Sequence, residues 1–291
     1  MPDLKLSNKD TKATQYPLST GVLVAILAAY TLGFVIVLIN IGVGEASRRF
    51  LAEGVILAFW LWVAHKMLNT TPVETLHIKH PSLELGIGLA GLAITTLLII
   101  AVYSGATWLS WSLRLIDYGI PVAIFLLLGY GSSAIGLSVA SRRAWIALFA
   151  IVVINLVIGI LGGQFLPPGE LPTPPGADMA ESIHGPFDIM VLLGQILFNA
   201  AIPEELYLRV YLQPRLARYV PLSWAIFIQA ILFAAIHLPR DILRLGYSWP
   251  LALASLFSLS NGVIGGYFWS KTRSLPVLIV LHLFAYSRIG L

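Results

Sequence analysis

An all-α membrane bundle of eight or nine spans is the fold this sequence predicts, and three observations predict it. The 291 residues are 58% hydrophobic and only 11% charged, with a mean hydropathy of +0.85, far from a soluble domain of this length. The apolar residues fall into runs long enough to cross a hydrocarbon core of about 30 Å. Nothing in those runs alternates with the period of two that a barrel requires, and lipid tolerates no unpaired backbone groups, so the runs are helices.

The elements follow in chain order. A tail, 1–17, carries Lys5, Lys9 and Lys12 ahead of a first run, Leu18 to Val43, that is too long for a signal peptide. Ala52 to Leu68, Leu85 to Gly105, Gly119 to Ala140 and Ala144 to Leu166 complete a plain scaffold half, 18–166. Its isolated polar residues, such as Asn40 and Asn155, read as packing or capping residues. A Gly/Pro-rich loop, 167–186, holds Glu170, Asp178 and Glu181 but no Lys or Arg. Phe187 to Leu212, Leu222 to Leu238, Trp249 to Ser270 and Leu275 to Ile289 form the remaining half, 187–291. Gly159 with Gly163, and Gly262 with Gly266, match the spacing for close helix approach.

Charge sets the orientation. With nine spans and a cytoplasmic N-terminus, Lys5, Lys9, Lys12, Lys66, Lys79, Arg142, Arg143, Arg215, Arg218, Lys271 and Arg273 lie inside. Arg48, Arg49, Arg114, Arg240, Arg244 and Arg288 then lie outside, and the acidic loop suits that face. The pI near 9.3 therefore reflects attraction to anionic headgroups rather than nucleic-acid binding, for which no aromatic platform or basic stripe exists. Trp145, Trp224, Trp249 and Trp269 fall at span ends, where interfacial anchors sit. Cysteine is absent, which removes disulfides, thiolate nucleophiles and thiolate metal sites.

The chemistry-capable residues gather after the loop. Glu204 and Glu205 sit near the end of an apolar run, where each charge costs about 2.5–3.5 kcal/mol to insert and so marks a functional site by default. Residues four apart share a helix face, so Glu205 can pair with Arg209, while Glu204 is turned about 100° away. A structural ion-pair cluster would need only one carboxylate; the spare one calls for another role. A carboxylate in low dielectric without its own counter-ion takes up protons readily, as a general base near neutral pH must.

His237 and His282 follow on two further apolar segments. Two His and one Glu make the ligand set of hydrolytic zinc sites, and the same groups equally hold and deprotonate a water without metal. Glu204, His237 and His282 are thus candidate metal ligands, with zinc or no cofactor both open. If each span is straight, His237 lies nearer the outer end of its span than Glu204 and His282 do, although shared chemistry requires one depth. Tyr286, four residues after His282 and on the same face, offers a phenol as an oxyanion donor or as an interfacial aromatic.

Glu-Glu-x-x-x-Arg at Glu204 to Arg209, Phe-x-x-x-His at Phe233 to His237, and the last-span His282 preceded by Gly-Tyr-Phe-Trp-Ser-Lys-Thr-Arg-Ser-Leu-Pro resemble the type II CAAX prenyl endopeptidases. That group of intramembrane proteases includes bacteriocin-processing and self-immunity proteins. The resemblance covers roughly Pro203 to Tyr286. It implies a peptide-bond hydrolase in which Glu204 activates water, His237 and His282 assist it, and Glu205 with Arg209 supports the site. The family usually has Asn four residues after the last His, where this chain has Tyr286. The implied substrate is a membrane-anchored or lipidated protein cut near its C-terminus within the bilayer. The alternatives are a silent membrane scaffold or immunity-type binding protein, which Tyr286 favours, and a proton-coupled transporter using a Glu/His relay, against which no internal repeat is visible.

Overall fold

The computed structural model describes residues 18–47, 50, 53–68, 77–137, 140–165, 185–243, 246–257 and 259–286, without the side chains of 156, 158–165, 285 and 286. The N-terminal tail with its lysines, Arg48, Arg49, most of the 167–186 loop, Arg244, Arg288 and the Tyr286 side chain lie outside the described residues. Helices α1 (Thr20–Asn40), α2 (Val43–Ala46), α3 (Glu53–Leu68), α4 (Pro81–Tyr103), α5 (Ser110–Leu127) and α6 (Arg142–Phe165) precede the loop. After it come the continuous helical run α7 (Pro186–Leu216) and α8 (Leu222–Ala235), α9 (Leu238–Leu243), α10 (Trp249–Leu256), α11 (Ser260–Thr272) and α12 (Leu275–Leu281), the last prolonged to Tyr286. Among the described residues there is no strand, only an isolated bridge between Leu137 and Ser274.

Among the described residues six helices are long and apolar enough to cross a membrane: Thr20–Asn40, Pro81–Tyr103, Thr107–Leu127, Pro186–Leu216, Leu222–Leu243 and Trp249–Thr272. The protein is an integral membrane protein. Eight or nine spans are expected, and three of the nine runs are not among these six: Glu53–Leu68 is only 16 residues long, Leu275–Phe284 is shorter still, and the side chains along much of Arg142–Phe165 are not described. Large apolar side chains such as Val24, Leu27, Ile39 and Phe149 point outward, as a bilayer solvent demands.

One boundary moves in a way that matters for chemistry. The run read as Gly119 to Ala140 is instead a helix from Thr107 to Leu127 followed by turns. The turns arise because Gly129 and Gly136 adopt φ of 61° and 75°, a region that disfavours a Cβ. At Gly136 a Cβ would also meet the Trp269 ring at 2.6 Å. Arg114 and Asp117, placed in a loop by the sequence reading, therefore lie within a membrane-spanning helix. Trp269 is correspondingly not an interfacial anchor: it is 1% exposed, because the glycine turn packs on it.

Helix α7 runs through the centre of the bundle, and every residue from Glu205 to Leu216 is buried. Pro203 supplies no N–H to the preceding turn, and wide π-helical turns flank it at Leu197–Ala201 and Glu205–Leu212. Such turns recur at functional sites. Tyr207 and Tyr211, one turn apart, donate to the α4 carbonyls of Gly88 and Glu84 at 2.6 Å each. Gly88 and Gly91 make that approach possible, since a Cβ would stand 2.7 Å from the Tyr211 ring and 2.3 Å from the Tyr207 hydroxyl. The Gly262/Gly266 spacing behaves as expected: a Cβ on Gly262 would come within 2.6 Å of Ala230 on α8. The paired Gly159 and Gly163 have no described side-chain surroundings.

A second tie locks α7 to α4. The Glu84 and Arg215 side chains are both 0% exposed and meet at 2.5 Å. Glu84 also accepts from the His80 N–H at 2.9 Å and from the Tyr130 hydroxyl at 2.8 Å, while the Arg215 guanidinium stacks 3.9 Å from the Tyr211 ring centroid. Tyr130 lies in the turns beyond the span. Burial, first, and the neighbouring carboxylate raise the pKa of its phenol, despite the bond from the Lys79 N–H, so it remains a donor.

Candidate active site

The helix bearing the paired glutamates sends them to different places. Glu205 is fully buried, and its Oε1 lies 2.8 Å from His282 Nδ1. Its Oε2 faces Arg209 Nε at 3.4 Å, so the pairing expected from their spacing is present. Arg209 in turn donates to the Asn261 carbonyl at 3.3 Å and lies over the Phe233 ring, 4.3 Å from its centroid. Glu205 pairs with Arg209 and accepts from His282 Nδ1, which leaves His282 Nε2 facing away from Glu205. That Nε2 stands 3.9 Å from Glu204 Oε2.

His237 is fixed by the same logic. Its Nδ1 lies 2.8 Å from the Phe233 carbonyl oxygen. A carbonyl can only accept, so the proton is on Nδ1, and neutral His237 presents the lone pair of Nε2. The Phe233 and His237 rings also meet edge to face at 5.0 Å. Phe233 thus holds both Arg209 and His237, which gives the Phe-x-x-x-His spacing a physical reason.

Glu204 and His237 line one cavity of about 190 Å³ together with Asn199, Tyr207 and Arg240. The depth mismatch expected for His237 does not occur, because its span continues to Leu243 and breaks only locally at Ile236 and His237. His237 therefore lies fifteen residues into that span, and Glu204 twelve before the end of the preceding one. With about 1.5 Å of rise per residue in adjacent antiparallel spans, the two reach similar depth.

The opposite wall belongs to the N-terminal half. Thr95, Arg114 and Asp117 line the same cavity; Thr95 Oγ1 donates to Asp117 Oδ1 at 3.0 Å, and Arg114 stands 3.8 Å from Oδ2. Asp117 goes unmarked in the sequence, and Arg114 falls in a loop, because the apolar run there starts at Gly119. Their signal was an Arg and an Asp three residues apart in an otherwise apolar stretch, Trp111 to Leu127.

Among the described residues no three His, Cys, Asp or Glu side chains cluster as a metal-ligand set. Glu204, His237 and His282 are accordingly not grouped as such a set, and each imidazole directs its Nδ1 at a protein acceptor. The deciding comparison concerns the segment that carries all three. Residues 186–287 match the Rce1-like type II CAAX prenyl endopeptidase family. This is the family whose motifs the sequence resembles. The Rce1-like segment spans roughly a third of the chain and includes Glu204, Glu205, Arg209, His237 and His282, whereas Asp117 and Thr95 lie outside it. Neither a curated protein nor a solved structure matches the chain.

Proposed function

We propose that this protein is an intramembrane endopeptidase that hydrolyses a peptide bond of a membrane-anchored or lipidated protein. Glu204 is the general base that takes a proton from water, and His237, with its Nε2 lone pair turned outward, shares in holding that water. His282 stands beside Glu204 with its ring fixed by Glu205, which Arg209 faces from the other side. Tyr286 is carried as the oxyanion donor by its position four residues after His282.

The observation that carries the reading is the contrast within the acidic pair. Glu205 is wholly enclosed by Arg209 and His282, while Glu204 opens into the cavity that His237 lines. A cluster built only for stability would leave neither carboxylate facing a cavity, since an uncompensated charge there is costly. The family match over 186–287 supports the same activity.

The test is turnover of a quenched peptide carrying a lipid anchor by the purified protein in liposomes. Wild type should cleave it, and Glu204→Gln should lower kcat by at least about 10³-fold, within the range for loss of a general base. Absence of cleavage by wild type, with retained binding of the lipidated peptide, would favour the scaffold alternative.

A further inference from the structure

A second carboxylate faces the cavity from the other half of the chain. Asp117 sits in the membrane-spanning helix Thr107–Leu127, where an ionisable side chain is costly and marks function by default. Its side chain is 19% exposed, and it lines the cavity that Glu204 and His237 share. Thr95, itself buried, anchors Oδ1 through its hydroxyl at 3.0 Å. Arg114 stands beyond hydrogen-bond distance from Oδ2, at 3.8 Å, so that oxygen is held in place yet available.

Amide hydrolysis needs more than a base, because the departing nitrogen must receive a proton as the C–N bond breaks. The other cavity groups are poorly suited to give one. Arg114 and Arg240 carry guanidinium groups, a type that does not serve as a proton donor in acid catalysis. Tyr207 spends its proton on the Gly88 carbonyl, and His237 spends the Nδ1 proton on Phe233. The Tyr103 phenol also lines the cavity, and a phenol is by chemical type a weaker acid than a carboxylic acid.

We propose that Asp117 is the proton donor to the departing amine, and so a catalytic residue supplied from outside the family-matched segment. The inference rests on the endopeptidase reading above. Glu204 takes one proton from water, and the water oxygen bonds to the carbonyl carbon as the carbonyl electron pair moves onto its oxygen. When the carbonyl re-forms, the C–N bond breaks and the nitrogen pair takes the proton of Asp117. Glu204 then returns the proton it took to Asp117 across the cavity, so peptide and water become acid and amine with both carboxyl groups restored. One acid charged and one protonated is a recurrent division of labour for two carboxyl groups in a single site.

The experiment compares a lipid-anchored peptide amide with the matching aryl ester, whose phenolate leaves without protonation. Wild type, Asp117→Asn, Asp117→Glu and Glu204→Gln are assayed in liposomes. Asp117→Asn should lower amide kcat/KM by about 100-fold and the amide-to-ester ratio by at least about 30-fold, as expected for loss of a general acid. Asp117→Glu should restore most of the ratio. An unchanged ratio would overturn the proposal, whether both substrates slow together, as a structural role predicts, or neither does. Retained amide turnover by Glu204→Gln, or none by wild type, would overturn the endopeptidase reading and this inference with it; an unchanged ratio in Asp117→Asn beside an inactive Glu204→Gln would overturn the inference alone.

Discussion

The same helix carries two buried arginine–carboxylate clusters, and they are finished differently. At Arg215, the carboxylate of Glu84 is met by the guanidinium, by Tyr130 and by the His80 N–H, and three aromatic rings surround the guanidinium. At Arg209, the ion contact to Glu205 is longer, at 3.4 Å, and Glu205 Oε2, Arg209 Nε and Arg209 Nη1 make no hydrogen bond among the described residues. The first cluster is closed and joins α7 to α4. The second is open, passes through His282 to Glu204, and ends at a cavity. A saturated network fixes geometry, whereas an unsaturated one holds groups whose bonding capacity remains for a reaction.

The largest expected effect separates the two arginines. Arg215→Ala should cost about 3–5 kcal/mol of stability, because it strands the buried Glu84 charge. Arg209→Ala should cost less, about 1–3 kcal/mol, since His282 still donates to Glu205, but it should lower kcat per folded molecule. Thermal unfolding in detergent, read beside peptide turnover, checks both. Equal stability losses with equal activity losses would break the comparison.

How much of this was legible in the sequence follows from what each signal depends on. Glu204, Glu205, Arg209, His237 and His282 stood out because each is polar inside an apolar run, and the i,i+4 geometry of Glu205 and Arg209 is local. Glu84 and Asp117 did not, because each lies at the margin of an apolar run, and a shift of one or two turns moves it from loop to membrane. The glycines of the 129–136 turn are apolar by composition, so hydropathy extended a span across them. Contacts between distant residues, such as Arg215 with Glu84 or Phe233 beneath Arg209, have no sequence period to betray them. Trp269 was misplaced for the same reason, since its burial depends on a turn more than a hundred residues earlier.

A middle-sized effect tests how tightly the closed side is packed. Gly88→Ala puts a Cβ 2.7 Å from the Tyr211 ring, and overpacking of that kind costs about 1–3 kcal/mol. Gly86, on the same helix, has nothing among the described residues within 4 Å of a Cβ, so Gly86→Ala should be neutral or slightly stabilising, by up to about 1 kcal/mol from helix propensity. Chemical denaturation of the two variants in the same detergent gives the difference. A similar loss at both would mean that α4 and α7 are not held together at this contact.

The smallest effect sharpens the comparison most. Tyr207→Phe and Tyr211→Phe remove matching hydrogen bonds to α4 carbonyls, each 2.6 Å long, and each should cost about 0.5–1.5 kcal/mol. Only Tyr207 also lines the cavity that holds Glu204 and His237. Tyr211→Phe should therefore lower stability with KM and kcat per folded molecule unchanged, while Tyr207→Phe should alter KM as well. A change of KM in Tyr211→Phe would show that the closed cluster transmits strain into the site, and the division of α7 into an anchoring turn and a reactive turn would fail.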